Sequence, residues 1–373
     1  MKIKNLLNIY IALTILVTFL MDIIYPFFPE FRYFKYIGFP IFFILLNRYL
    51  KLKNRPKYNR NTLAFVALIL HSLMFYWLMP GSQGFLELIF IFSGISIWLF
   101  SWHTEVNFNL ISYLSYFCFI VFYLGFANFD FSLTAFLKSE TSDIEGGISF
   151  VFGFLALYFW EKKQHKHFII NLILIILTLK RTVLIALVFV VLISVLPKKI
   201  SKKIYNRWLA VTVNILVIFI FQLFAQGVFD DVIREVTNLS PGEFSSGRQY
   251  LFSKLFNLFD NSVSSLLFNG LGQGSVPVLL SDYMGQIFLL HNDILKITFE
   301  HGYLFLVLFL SLFYKTNDAR IFRLCVFLNI IYLTDNALIY QYCYALFFGM
   351  INNYNFQNQF NFVITKLKYN NIK

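Results

Sequence analysis

About a dozen apolar runs follow one another along this chain, each near the 17–25 residues that a membrane-crossing helix needs. They fall at roughly 6–27, 34–50, 62–80, 85–101, 108–127, 147–160, 166–180, 182–197, 208–228, 297–314, 320–335 and 337–352. The runs at 147–160 and 182–197 are short and draw on their flanks. Hydrophobic residues make up 58% of the 373 and charged residues 13%, about half the charged share of a soluble domain. A water-soluble fold of this length has too little core to hide that much apolar surface. The pattern predicts an all-α, polytopic integral membrane protein with about 12 transmembrane helices, forming one transmembrane domain over 1–373. The first run ends in Tyr25-Pro-Phe-Phe-Pro without a small-residue cleavage site, so it reads as a retained helix and not a signal peptide.

The charges between the runs set the expected orientation. Arg48, Lys51, Lys53, Arg55, Lys57 and Arg60 fill the second connection, Lys162, Lys163 and Lys166 the sixth, and Lys198, Lys199, Lys202, Lys203 and Arg207 the eighth. Lys315, Arg320 and Arg323 occupy the tenth, and Lys366, Lys368 and Lys373 the tail. The odd connections are acidic by contrast, with Asp130, Glu140, Asp143 and Glu145 near 128–146. Basic loops on alternate sides predict both termini in the cytoplasm and a large outer loop over 229–296. The net charge of +12 belongs to these loops, so it does not point to nucleic acid. Cys118, Cys325 and Cys343 all lie inside apolar runs, which predicts neither a disulfide framework nor a cysteine metal site. No Asp/Glu/His cluster has metal-ligand spacing, so neither metal nor cofactor is expected.

Charge at membrane depth is costly, and the few positions that carry it are candidates for function. Lys180-Arg181 interrupts an apolar run at an outer hairpin turn, where positive charge breaks the loop trend. An anionic ligand would compensate it, and Arg suits bidentate phosphate binding; the plain alternative is a pair of snorkelling anchors. In the outer loop, Ser245 or Ser246 can cap an amphipathic stretch over Tyr250–Leu267 expected to lie along the membrane surface, with Arg248 in its first turn. Gly270-Leu-Gly-Gln-Gly274, with Gly272 at its centre, lacks the strand and βαβ unit of a dinucleotide site, and reads as a tight or flexible loop near a substrate.

The sharpest signal is His291-Asn292, followed after nine residues by Gly302. On one continuous helix, eleven steps of about 100° return Gly302 to the face of His291, while Glu300 points away. Gly302 would then admit a close neighbour below the histidine, and His291 could take a proton near neutral pH. A lone histidine is more often structural. His71, Glu87, Asp335 and Asn336 are weaker candidates, and helix capping is the plainer account of the last two.

These residues together resemble the O-antigen polymerase and ligase superfamily. The family pattern is His, then Asn, Ser or Gln, nine residues, Gly, two residues and Gly. His291, Asn292 and Gly302 match it, and Phe305 replaces the last glycine. Arg181 sits where the family carries an arginine near the outer end of a mid-chain helix, and Ser246-Gly247-Arg248 followed by Gly270–Gly274 resembles its outer-loop pattern. The resemblance implies a GT-C-like, metal-independent glycosyltransferase in the bacterial inner membrane. Undecaprenyl-pyrophosphate-linked oligosaccharides would be donor and acceptor, polymerised on the outer face, with a chain-length regulator protein as a candidate partner. It would assign the pyrophosphate to Arg181, Arg248 and Lys180, the acceptor hydroxyl to His291, and supporting places to Asn292, Gly302, Gly272 and Gly274. A ligase moving glycan to lipid A core fits the same motifs. A flippase or transporter for lipid-linked sugar stays as the alternative of a different class, and it would place charges along a central cavity.

Overall fold

A computed structural model describes residues 3–24, 61–75, 84–92, 105–123, 147–178, 180–245, 247–259, 263–284 and 290–370. The runs expected at 34–50 and most of 85–101, together with Ser246, lie outside these residues. Every regular element among the described residues is helical. In chain order they are α1 (Ile3–Ile24), α2 (Thr62–Met74), α3 (Phe108–Cys118, continued by a π-turn over Phe119–Tyr123), α4 (Ile148–Glu161), α5 (His165–Leu177) and α6 (Arg181–Val195). Next come α7 (Lys198–Ile204), α8 (Arg207–Ala225), α9 (Asp230–Thr237), α10 (Pro241–Phe244), α11 (Arg248–Phe259), α12 (Val263–Phe268) and α13 (Ser275–Met284). The last are α14 (Asp293–His301), α15 (Tyr303–Phe313), α16 (Ala319–Tyr332) and α17 (Gln341–Asn370).

The sequence explains where several of these begin and end. Lys180 stands at the N-cap of α6, so the long apolar run splits there into α5 and α6. Asn206 opens α8 by accepting from Trp208 N at 2.9 Å, and Asp318 opens α16 by accepting from Arg320 N at 2.8 Å. Ser240 and Glu243 form a reciprocal capping box with Pro241 at the first helical position of α10. The run expected at 320–335 is helical only to Tyr332, which leaves Asp335 in the turn beyond it.

α4 is apolar all round and buried from Ile148 to Phe159, as a central helix must be. It packs against α5, α6, α17 and α1, and α16 closes over α6. The outward faces of α6 and α8 are apolar, unlike those of a soluble bundle. On α8, Asn214 is buried and receives a 3.0 Å hydrogen bond from Asn329, while Trp208, Val213, Leu216, Phe219 and Ile220 are exposed. On α6, Val183, Leu187 and Val190 are buried, while Ile185, Val188, Phe189 and Leu192 are exposed. Among the described residues one helix, α8, is both long and apolar enough to cross a membrane. Other apolar helices, including α2, α4, α5, α6 and α15, are 10–17 residues long.

Within Tyr250–Leu267, α11 turns Leu251, Phe252, Leu255 and Phe256 inward and packs against α8, while Tyr250 and Leu267 are exposed. One sequence expectation changes here. The helix from His291 through Gly302 is not continuous. α14 starts at Asp293 and ends at Gly302, whose φ of 88° breaks the chain before α15. His291 and Gly302 therefore do not share a helix face. Gly302 still allows a close approach, since a Cβ there would meet the Leu266 and Phe268 backbone at about 3.0 Å.

Candidate functional site

Three helices begin at one cavity of about 580 Å³. α6 brings Lys180, Arg181 and Thr182, α11 brings Arg248, and the turn before α14 brings His291. Helix N-termini present free amides and a positive dipole end, so together they favour an anion. Thr182 also borders the cavity, and its buried hydroxyl has no hydrogen-bond partner among the described residues. Ser245 lies on the rim, where its hydroxyl donates to Pro241 O at 2.8 Å and accepts from Gln249 N at 3.2 Å.

Asp335 organises the cationic end. Its carboxylate meets Lys180 Nζ at 3.0 Å and His291 Nδ1 at 3.4 Å. It also accepts from the Asn336 amide at 2.8 Å, so it serves the site and caps no helix. A carboxylate can only accept, which places the proton of His291 on Nδ1 and leaves the Nε2 lone pair on the far side of the ring. Burial opposes ionisation of Asp335, yet the hydrogen bond from His291 and the Lys180 charge outweigh it and hold the carboxyl below the ordinary aspartate value. His291 itself is 43% exposed against 4% for Asp335, so a buried charge orients an accessible ring. The backbone of His291 has φ of 52°, a left-handed conformation that non-glycine residues adopt at a cost. Asn292 holds the next residue in extended backbone by accepting from Leu295 N at 2.9 Å.

The other walls are apolar. Ile220, Phe221 and Phe224 come from α8, Val232 and Ile233 from α9, and Phe229, Phe244 and Phe252 complete them. Gln249 Nε2 ties this side together, donating to Phe224 O at 2.9 Å and to Asp230 Oδ1 at 2.7 Å. Arg248 reaches the opposite wall, where Nη1 donates to Thr334 O at 3.3 Å. The cavity is thus cationic at one end and aromatic along its length.

The structure brings Lys180, Arg181, Arg248 and His291 together, with Asp335 as the residue the motifs alone undervalue. Gly272 and Gly274 lie elsewhere. The Gly270 loop folds over the C-terminal end of α14, with Leu271 N donating to Phe299 O and Gly272 N to Glu300 O, both at 2.9 Å. Gly270, at φ of 62°, has room for no Cβ against the Glu300–His301 backbone. The loop is a helix cap, which satisfies carbonyls that α14 leaves open.

Beneath that cap lies a buried polar chain. Lys296 Nζ pairs with Glu87 Oε1 at 2.6 Å, and Gln273 Nε2 donates to Glu87 Oε2 at 2.7 Å. Gln273 Oε1 accepts from Ser72 Oγ at 3.0 Å and lies 3.1 Å from His301 Nε2, so that nitrogen carries the proton. His301 Nδ1 then accepts from His71 Nδ1 at 3.1 Å. His71 and Glu87 enter the sequence reading singly, and their partners come from distant segments. Among the described residues no group of three or more His, Cys, Asp and Glu side chains is placed to hold a metal ion. No protein-family model, curated protein or solved structure matches the chain.

Proposed function

We propose that the chain is a polytopic inner-membrane glycosyltransferase that polymerises undecaprenyl-pyrophosphate-linked oligosaccharide repeat units on the outer face. The observation that carries this reading is the cavity shared by Lys180, Arg181, Arg248 and His291, cationic at one end and lined with phenylalanine along the rest. A pyrophosphate on an isoprenoid chain has the same two-part chemistry. The outward-facing apolar surface of α8 and its buried Asn214 support the membrane setting, since lipid favours an apolar exterior that water penalises. The twelve-span topology with both termini cytoplasmic belongs to this same proposal.

The chemistry follows from the residues. The acceptor hydroxyl gives its proton to Nε2 of His291 as its oxygen attacks the anomeric carbon. The bond from that carbon to the pyrophosphate breaks, and the leaving oxygen takes the electron pair. Arg181, Arg248 and the α6 N-terminus take up the developing negative charge. A single displacement of this kind inverts the anomeric centre.

One observation favours the transporter reading, namely the buried Glu87–Lys296 pair and the histidines linked to it. Gene deletion separates the readings. Loss of a polymerase collapses the surface-polysaccharide ladder to a single repeat, or removes capsule in a host without such a core. Loss of a ligase leaves long lipid-linked chains, and loss of a flippase leaves unextended repeats on the cytoplasmic leaflet; either result overturns the polymerase reading.

A further inference from the structure

A second cavity, of about 530 Å³, lies at the opposite end of α8. It is lined by Lys202 of α7, by Tyr205, Asn206 and Arg207 at the start of α8, and by Tyr314–Asn317 beyond α15. No carboxylate lines it, and among the described residues none pairs with Lys202, Arg207 or Lys315. Three cations round one cavity repel one another unless an anion joins them. The N-terminus of the 19-residue α8 adds its positive end.

Tyr205 makes the cavity more than a cluster of surface charge. Its hydroxyl oxygen accepts from Arg323 Nη1 at 2.6 Å, while Arg323 is held bidentately by Glu161 at 2.6 and 2.7 Å. The phenol proton has no acceptor among the described residues, so it can be donated into the cavity. The rim shows which surroundings the cavity meets. Ile200, Trp208 and Leu209 are exposed beside it, and Arg207 stacks on Trp208 at 5.0 Å. A tryptophan and an arginine at the start of an apolar helix mark a membrane interface.

We propose that this cavity seats the phosphate headgroup of an acidic phospholipid from the cytoplasmic leaflet, with its acyl chains against Trp208 and Leu209. The proposal rests on the membrane-spanning reading above. The volume suits a headgroup and not a bare ion. Lys202, Arg207 and Lys315 supply charge, and Tyr205 donates to a phosphate oxygen.

The test titrates full-length protein in detergent with phosphatidylglycerol, phosphatidylcholine and inorganic phosphate, read by native mass spectrometry. Phosphatidylglycerol is expected to bind, and the combined Lys202→Gln, Arg207→Gln, Lys315→Gln variant to lose on the order of a hundredfold in affinity, at about fivefold per cation. A single Lys315→Glu exchange, at a side chain with no ion-pair partner among the described residues, is expected to weaken binding in the same direction if the triple variant fails to fold. Equal binding of phosphatidylcholine, undiminished binding by both variants, or inorganic phosphate binding as tightly as the lipid would each overturn the proposal. Carbonate extraction of membranes from the same cells separates the two readings: protein that stays in the membrane but shows no lipid preference sinks this proposal alone, and protein that is released sinks both.

Discussion

His291 Nδ1 lies 3.4 Å from Oδ1 of Asp335, a residue 44 positions further along the chain. The contact sets the imidazole tautomer and aims the basic nitrogen away from the carboxylate. Asp335→Asn should keep the shape and lose that orienting charge. Polymer formation is expected to fall by about 10²-fold or more, measured as ladder length at matched protein level. Wild-type ladders from this variant would remove Asp335 from the site.

The same carboxylate predicts a pH effect. Asp335 titrates below its ordinary value in the folded protein, so the stability it contributes is in place above about pH 4. That contribution is lost as pH falls toward the depressed value. The gap in melting temperature between wild type and Asp335→Asn should be widest at neutral pH and close on acidification. A gap that widens in acid would contradict the arrangement.

Arg181 stands at the first position of α6 within the cationic end of the cavity. Arg181→Ala and His291→Ala should abolish polymer while protein levels stay normal. Arg181→Lys should also be poor, because an ammonium cannot reproduce the planar fork. The proposed mechanism draws its positive charge from these side chains, so EDTA is expected to leave synthesis unchanged. Strong inhibition by EDTA would require a different mechanism.

Breaking the Glu87–Lys296 pair should be expensive. Both side chains are buried, at 2% and 7% exposure, and Lys296→Met leaves Glu87 without its counter-charge, at a cost of about 3–5 kcal/mol. Replacing both, with Glu87→Gln, should recover part of that loss. A double-mutant cycle on thermal or denaturant unfolding measures the coupling. Additive losses would show that the two charges do not act as a pair.

Gly302→Ala places a side chain at φ of 88° and about 3.0 Å from the Leu266 and Phe268 backbone. A loss of roughly 1–3 kcal/mol is expected, seen as a lowered melting temperature. An unchanged melting temperature would mean that α12 and α15 do not meet there.

Helical class is legible from residue order alone, because sustained apolar runs far longer than a strand read as helices. The individual cations are legible too, since Lys180 and Arg181 stand out inside an apolar run and desolvated charge is costly wherever it falls. Capping is equally local, with Asn206, Ser240, Asn292 and Asp318 each bonding an amide two or three positions ahead. What tertiary structure alone decides is which distant groups meet. His71 and His301 touch across 230 positions and Glu87 and Gln273 across 186, separations that carry no period a linear reading can detect. The break at Gly302 is of the same kind. A glycine within an apolar stretch is compatible with one helix or two, and the Leu266–Phe268 backbone packed against it selects two. Asp335 joins Lys180 and His291 because helix packing carries the end of α16 to the start of α6. Residue types determined which charges had to find partners, and packing determined the partners, because ion pairing acts through distance in space and not along the chain.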